Sequence, residues 1–375
     1  MPEKYVLIVA GDPSGDLHGS RLARALKAKE PGLKIAAVGG KLLEAEADLF
    51  FADLASLGIV GFVEPLRQLP RLLALLRRLG EFLLSRRPLA LVCIDYYGFN
   101  RRVLPLAKRA GVPAFYFISP QVWASRPGRL RVLKRFTTRM LLIFPFERKV
   151  YHDARIPHTF VGHPLLDILP DARSVKEHVG LRIGLLPGSR KSEVTRHLPV
   201  FLEALEKIRK DYPRIEAVVF GAGSLPDSAY AAATSLELEL VRETDYRRRA
   251  SMDLVLTSSG TATLENALLG LPMVVIYKMS WPTYAIARAL VRVPYISMAN
   301  LLAGKALVPE LIQRDATGES VAAAALHLLE DSRRLGRIRG ELLALREQLG
   351  GPGAADRAAQ AILVEVSKKK AVAAA

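Results

Sequence analysis

Short apolar runs alternate with amphipathic stretches along most of this chain, which predicts parallel strands sandwiched between helices. In the first half, strands are expected at 5–10, 34–38, 89–94, 114–118, 139–143 and 158–161. In the second half they are expected at 182–186, 216–220, 238–241, 254–257 and 273–276, and from Gly318 the pattern is mostly helical. A polar stretch at 169–174 separates the halves. Gly350-Gly351-Pro352-Gly353 interrupts the helical region before one last helix, expected to start near Asp356 and to fray at the lysines 368–370. The reading is an α/β chain with two doubly wound, Rossmann-like domains, 1–168 and 175–345, facing a cleft. A terminal helix and tail at 350–375 either pack back on the first domain or swap into a second copy, making a homodimer.

One stretch departs from the ordinary amphipathic pattern. From Pro70, at about 100° per residue, Arg71, Ala74, Arg78, Glu81 and Ser85 share a narrow polar stripe. Leu72, Leu73, Leu75, Leu76, Leu79, Phe82, Leu83 and Leu84 then spread over an arc of roughly 200°, wider than the ~100° a core-facing helix needs. Either the helix is deeply buried, or it has a second apolar contact: a bilayer, an acyl chain or another subunit. The apolar Leu57–Val63 stretch precedes it, with Ile59, Val60 and Phe62, and Arg67, Arg71, Arg77, Arg78, Arg86 and Arg87 flank the region.

At 375 residues, half of them hydrophobic, the chain can bury two cores. Its one cysteine, Cys93, excludes a disulfide framework and a cysteine-rich metal site, and fits a reducing compartment. The first apolar run is short and reads as a strand rather than a secretion signal. No uncharged apolar stretch is long enough to span a membrane. The net charge of +17 implies either a polyanionic partner (nucleic acid, anionic phospholipid or a phosphorylated substrate) or an Arg- and Leu-rich compositional bias.

The candidate chemistry lies where expected strands end. The run at 252–257 passes through Ser258, Ser259, Gly260, Thr261, Ala262 and Thr263 directly into a helical pattern. Backbone N–H groups and hydroxyls at such a helix start can hold a diphosphate, and Glu265, one turn in, could accept from ribose hydroxyls. Pro187-Gly188-Ser189-Arg190 is a second such turn, with Gly188 and Ser189 offering N–H groups and Arg190 a bidentate cation; Glu193 reads as a helix-start acid. The first strand ends in Gly11-Asp12-Pro13-Ser14-Gly15-Asp16 before a helix expected over 17–26, with Asp16 as its cap or as part of a site. Asp95 ends an apolar strand, where it serves as a general base or caps the next helix. Asn300 could donate to a phosphate oxygen or cap a helix. There is no Asp-x-Asp pair and no His/Cys cluster, so the default mechanism uses neither metal nor cofactor, and the histidines read as structural.

Together these loops resemble the bacterial lipid-A-disaccharide synthase family. The matching landmarks are residues 10–16, 58–64, Ile94-Asp95 with Phe99-Asn100, 119–124, Phe144-Pro145-Phe146-Glu147, Val161-Gly162-His163-Pro164, 185–190, 259–265, 272–275 and 300–304. The resemblance implies a GT-B architecture and an inverting, metal-independent glycosyltransferase. Such an enzyme joins UDP-2,3-diacylglucosamine to 2,3-diacylglucosamine 1-phosphate through a β-1,6 linkage. By that resemblance Asp95 becomes the leading candidate for general base on the acceptor hydroxyl, Arg190 and Asn300 match positions important for activity, Asp12 is a further catalytic candidate in the first loop, and residues 260–263 with Glu265 hold UDP. Domain 1–168 would face the acceptor and membrane, and 175–345 would bind the UDP-sugar. The apolar region, with Ile59, Val60, Phe62, Leu72, Leu73, Leu76 and Phe82, would receive acyl chains on the cytoplasmic, anionic face of the inner membrane.

The chain departs from the family where Asp12 replaces Glu, Tyr96-Tyr97-Gly98 replaces Ala-Pro-Asp, Ser125 replaces Trp, and Met298-Ala299 replaces Leu-Pro. These changes bear on acceptor or acyl-chain preference. The rivals are a UDP-sugar epimerase or peptidoglycan glycosyltransferase of the same architecture, and a non-catalytic lipid adaptor. A nucleic-acid-binding protein is suggested by charge alone, and no basic–aromatic motif supports it, so no nucleic-acid partner is expected.

Overall fold

A computed structural model describes residues 3–55, 69–124, 127–170, 180–290 and 293–374. The chain divides into two compact units, Met1–Asp167 with Leu349–Ala375, and Ile168–Gln348.

The first unit is built on seven parallel strands: β1 (Tyr5–Ala10), β2 (Lys34–Gly39), β3 (Leu49–Asp53), β4 (Ala90–Ile94), β5 (Ala114–Phe117), β6 (Arg139–Leu142) and β7 (His158–Phe160). Their order is β3-β2-β1-β4-β5-β6-β7. Helices cover both faces, so β1 and β4 are buried at every residue and read as unbroken apolar runs. The helices are α1 (Pro13–Lys29), α2 (Lys41–Glu44), α3 (Leu69–Arg86), α4 (Tyr97–Arg109), α5 (Arg129–Phe136) and α6 (Glu147–Asp153).

Strand β3 was not expected from the sequence. It lies at the sheet edge, no residue of it is fully buried, and Leu-Phe-Phe-Ala-Asp shows neither strict alternation nor a long apolar run. Helix α1 begins four residues before the expected start, because Pro13 suits a first helical turn and Asp12 caps it, accepting from the Gly15 N–H at 2.6 Å. Asp16 therefore does not cap its own helix. It is buried and accepts from the N–H groups of Gly40, Leu42 and Leu43, at the start of α2.

The second unit has six parallel strands in the order β10-β9-β8-β11-β12-β13. They are β8 (Arg182–Leu186), β9 (Glu216–Gly221), β10 (Glu239–Arg242), β11 (Leu254–Ser258), β12 (Met273–Tyr277) and the unexpected edge strand β13 (Glu310–Ile312). Three residues long and half-buried, β13 is too short to carry a periodic signal. Helices here are α7 (Lys191–Asp211), α8 (Ala231–Thr234), α9 (Tyr246–Ala250), α10 (Thr261–Leu268), α11 (Trp281–Leu290), α12 (Met298–Ala303), α13 (Gly318–Leu329) and α14 (Ser332–Gln348).

The final helix, α15 (Ala354–Ala374), returns to the first unit and packs on α1; it also includes the lysines 368–370 expected to fray. Its start is fixed at a distance by Asp167, whose carboxylate accepts from the N–H groups of Gly353 and of Ala354. Arg357 ties the same corner down, donating from Nε to the Val161 carbonyl at 2.8 Å and from its terminal nitrogens to Gly351 and Pro352. A side chain at Gly162 would sit 2.5 Å from that guanidinium, which is why glycine stands there.

Candidate functional site

In an open α/β sheet the loops that can meet a ligand lie beyond the carboxyl ends of the strands where the strand order reverses. In the first unit the reversal falls between β1 and β4, which pair directly, with Ala10 opposite Ile94. The residues just past that register are Asp12 and Asp95. Asp95 and Tyr96 have φ of +40° and +38°, a left-handed conformation that is costly for residues with side chains. Two buried groups hold it: Asn100 donates to the Asp95 carbonyl at 2.9 Å, and the Tyr116 hydroxyl donates to the same oxygen. The Tyr96 ring lies against Gly11, where a Cβ would be 2.0 Å from the ring, so only glycine fits.

The Asp95 carboxyl is thus fixed at the strand end. Burial, reinforced by the charge of Asp12, pushes its pKa up to about 6, against a partial offset from the Tyr96 N–H and Arg129. A carboxylate that ionises near neutrality is suited to take a proton from a hydroxyl. Asp12 accepts from the Gly15 N–H and from the Ser14 hydroxyl at 2.9 Å.

In the second unit the reversal falls between β8 and β11, and the two loops there touch: a Cβ on Gly188 would lie 3.3 Å from Ser258 Oγ. Gly260 has a φ of +151°, faces open space and precedes α10; Thr261 is exposed and Ala262 half-buried, so this helix start is accessible. Two of the hydroxyls expected to face a ligand are used inside the protein instead. Ser259 donates to the Ile296 carbonyl at 2.7 Å, and Thr263 donates to the Gly260 carbonyl while accepting from the Met298 N–H. The accessible donors at this turn are therefore main-chain groups and the hydroxyl of the exposed Thr261.

The Gly188 loop differs from expectation in the same way. Glu193 Oε2 accepts from the N–H groups of Ser189 and Arg190, at 3.1 and 3.3 Å, and Glu193 Oε1 holds the Arg190 guanidinium at 2.7 Å. The Arg190 side chain is still more than half exposed. An incoming phosphate would share that cation with Glu193. Beneath the loop, buried His197 donates from Nδ1 to the Pro187 carbonyl at 2.8 Å and accepts at Nε2 from the Lys278 N–H at 3.0 Å. It thereby ties the loops after β8 and β12, and burial holds its pKa below the usual histidine range, which keeps it neutral.

Glu265 is oriented by two residues that the sequence did not single out. Fully buried Arg249 reaches Oε2 at 2.5 Å, and the Tyr246 hydroxyl donates to Oε1 at 3.2 Å. The guanidinium also stacks over the Tyr246 ring at 4.8 Å, and burial together with the Glu265 charge raises the Tyr246 pKa. Nothing in the run Tyr-Arg-Arg-Arg-Ala indicates that its last arginine points inward.

Asn300 does not cap α12, a role taken by Ser297. Fully buried, its Nδ2 donates to the Val308 carbonyl and Glu310, and its Oδ1 accepts from the N–H groups of Leu307 and Val308. With every amide valence used, it organises the loop between α12 and β13. Asn300→Ala strands several of these buried groups, so a loss of about 3 kcal/mol is expected, read as a lower urea midpoint.

The apolar region also needs correction. Ile59, Val60 and Phe62 lie outside the described residues. In α3 the stripe Arg71, Ala74, Arg78, Glu81 and Ser85 is exposed, while Leu75, Leu79, Phe82 and Leu83 face the core. Phe82 meets Tyr5 and Phe51 edge-on at 5.6 and 5.3 Å, so it is a packing residue. Leu72 and Leu76 are half-buried against that core. Leu73 and Leu84 are 55% and 60% exposed, and Leu69 is exposed as well. On the Arg71/Arg78 side of the helix a pocket of about 270 Å³ opens among Ala52, Leu54, Leu72 and Leu75, with Arg71 and Arg78 at its wall. Among the described residues no helix is long and apolar enough to cross a membrane.

Two doubly wound parallel sheets, with the candidate loops at each reversal, define a GT-B fold. The fold is similar to Acinetobacter baumannii MurG (TM-score 0.61, 15% identity, 96% of this chain and 99% of that one). It is also similar to CalG4, the calicheamicin glycosyltransferase (TM-score 0.60, 17% identity, 97% and 99%). The family model described as lipid-A-disaccharide synthetase matches residues 6–364. The lipid-A-disaccharide synthase of Syntrophus aciditrophicus (strain SB) is 41% identical over 98% of this chain and 99% of its own. The chain belongs to the lipid-A-disaccharide synthase family.

Proposed function

We propose that this protein transfers the 2,3-diacylglucosaminyl group of UDP-2,3-diacylglucosamine to the 6-hydroxyl of 2,3-diacylglucosamine 1-phosphate. The hydroxyl oxygen attacks the anomeric carbon as Asp95 takes its proton. The bond from that carbon to the diphosphate breaks, UDP leaves with the electron pair, and the configuration inverts to a β-1,6 linkage. The start of α10, with the main-chain groups of residues 260–262, meets the charge on the departing diphosphate, together with Arg190 and the Gly188 turn. Glu265, held by Arg249 and Tyr246, receives the ribose. The observation that carries this reading is that, in a chain of this family, the candidate groups of both units lie at the strand-order reversals.

Incubation with both acylated sugars tests it. Stoichiometric UDP and a disaccharide 1-phosphate are expected. UDP release without a disaccharide, or an epimerised UDP-sugar, would overturn it.

Both substrates carry acyl chains, and we infer that α3 and its pocket face them at the cytoplasmic surface of an anionic inner membrane. The exposed Leu69, Leu73 and Leu84 and the α3 arginines support this. The double variant Leu73→Ser/Leu84→Ser is expected to bind phosphatidylglycerol-containing vesicles about tenfold or more weakly. Its thermal midpoint should be unchanged, because neither side chain is buried.

A further inference from the structure

Helix α11 (Trp281–Leu290) in the second unit presents an unusual face. At helical spacing Trp281, Tyr284, Ala285 and Arg288 fall on one side, the i, i+3, i+4, i+7 set that in a soluble helix normally turns toward the core. Here that side turns outward: Trp281 is 55% exposed, Ala285 and Arg288 are exposed, and Tyr284 is half-buried. Tyr284 meets the Trp281 ring edge-on at 5.9 Å, and the exposed Arg314 stacks over that indole at 5.1 Å. An aromatic pair between two arginines is the composition found at a membrane–water interface, where rings sit among headgroups and arginines pair with phosphates.

The sequence around this helix is biased toward positive charge, although the exposed Asp315 follows Arg314 and Lys305 pairs with Glu341. From Asn266 to Pro309 the sequence contains no Asp or Glu but does contain Lys278, Arg288, Arg292 and Lys305. The first acid beyond, Glu310, faces inward, accepting from the N–H groups of Ile296 and Ser297 and from Asn300. Such a field favours an anionic surface and disfavours an acidic-poor protein partner. Helix α11 also follows β12, the strand beside β11, so it leaves the same sheet edge as the diphosphate loop.

We propose that the Trp281–Arg288 face of α11 is a lipid-docking surface of the second unit, seated on anionic phospholipid and separate from α3. The inference rests on the membrane reading above, and the experiment separates the two. The chain has two tryptophans, so Trp123→Phe leaves Trp281 as the sole indole. Its emission is followed with phosphatidylethanolamine/phosphatidylglycerol vesicles carrying brominated acyl chains, alongside co-sedimentation.

The expected result is a blue shift and at least roughly twofold quenching, lost in high salt. Arg288→Gln and Trp281→Ser should weaken vesicle binding by roughly fivefold and tenfold, with thermal midpoints unchanged. Should Trp123→Phe fail to fold, the difference in quenching between the native protein and Trp281→Phe gives the same readout. Sedimentation without quenching overturns this proposal and leaves the α3 reading standing; no sedimentation overturns both. A blue shift without vesicles, accompanied by a dimer mass in light scattering, would make the face a self-association surface. A shift produced by the acylated donor alone would make it an acyl-chain contact. Either result overturns the proposal.

Discussion

Asp95→Asn is expected to lower turnover by about 10²–10⁴-fold, the range a positioned general base contributes, while UDP affinity stays within a factor of two to three by calorimetry. The pH profile sharpens the test. With a pKa near 6, the native carboxyl is the working base above that pH, so kcat/KM should fall as pH drops through 6. The residual activity of Asp95→Asn should lack that limb. The same carboxyl has a stability consequence of definite sign. Its folded pKa lies above the ordinary carboxylate value, so the native state binds the proton more tightly than the unfolded chain does. Its favourable contribution is complete below pH 4 and is lost as pH rises through 6. At pH 8 the ionised, buried group is a liability, and the neutral amide should stabilise the protein by about 2 kcal/mol. A variant that is inactive and yet melts higher separates a catalytic role from a structural one. An Asp95→Asn enzyme with native turnover would remove the assignment.

Glu265→Gln should be costly in a different way. Arg249 has no exposed surface, and Glu265 is the carboxylate that holds it, so the substitution leaves a buried guanidinium without its counter-charge. Breaking one side of a buried pair typically costs about 3–5 kcal/mol, and a fall of that size is expected in urea denaturation. Tyr246→Phe is the gentler companion. It removes one hydrogen bond to the same carboxylate without exposing the arginine, so stability should change by only about 1 kcal/mol while UDP binding weakens several-fold. If Tyr246→Phe binds UDP as the native protein does, Glu265 need not be held at that angle for the nucleotide.

The sequence reveals the parts of this fold that repeat or terminate regularly. Strands such as β1, β4 and β11 are buried on both faces and leave long apolar runs, and the turns after them stand out because glycine and hydroxyl residues interrupt those runs. Edge strands β3 and β13 leave no comparable trace, since water or an irregular partner relaxes their side-chain pattern. Within the site, the sequence indicates residue types but not their direction. Asp12, Asp95 and the 260–262 turn lie at the strand ends as their spacing suggests. Glu193 and Asn300, however, satisfy their own backbone surroundings, and Ser259 and Thr263 turn their hydroxyls inward. Arg249, one of three consecutive arginines, is chemically indistinguishable from exposed Arg247 and half-buried Arg248 until α9 is wound. The α3 arc of apolar residues mixes core and surface: Phe82 belongs to the first, Leu73 to the second, and periodicity alone does not divide an arc that wide.

The return of α15 to α1 affects how the protein is made. The second unit is one uninterrupted stretch and has all its strands once Gln348 has left the ribosome. The first unit, although its sheet emerges earlier, cannot cover α1 with α15 until residues 354–374 have followed the whole second unit. During synthesis the later-made half can therefore mature before the earlier one. A chain clipped after Gly350 would leave the α15-facing side of α1 open to chaperones and proteases, with the second unit intact.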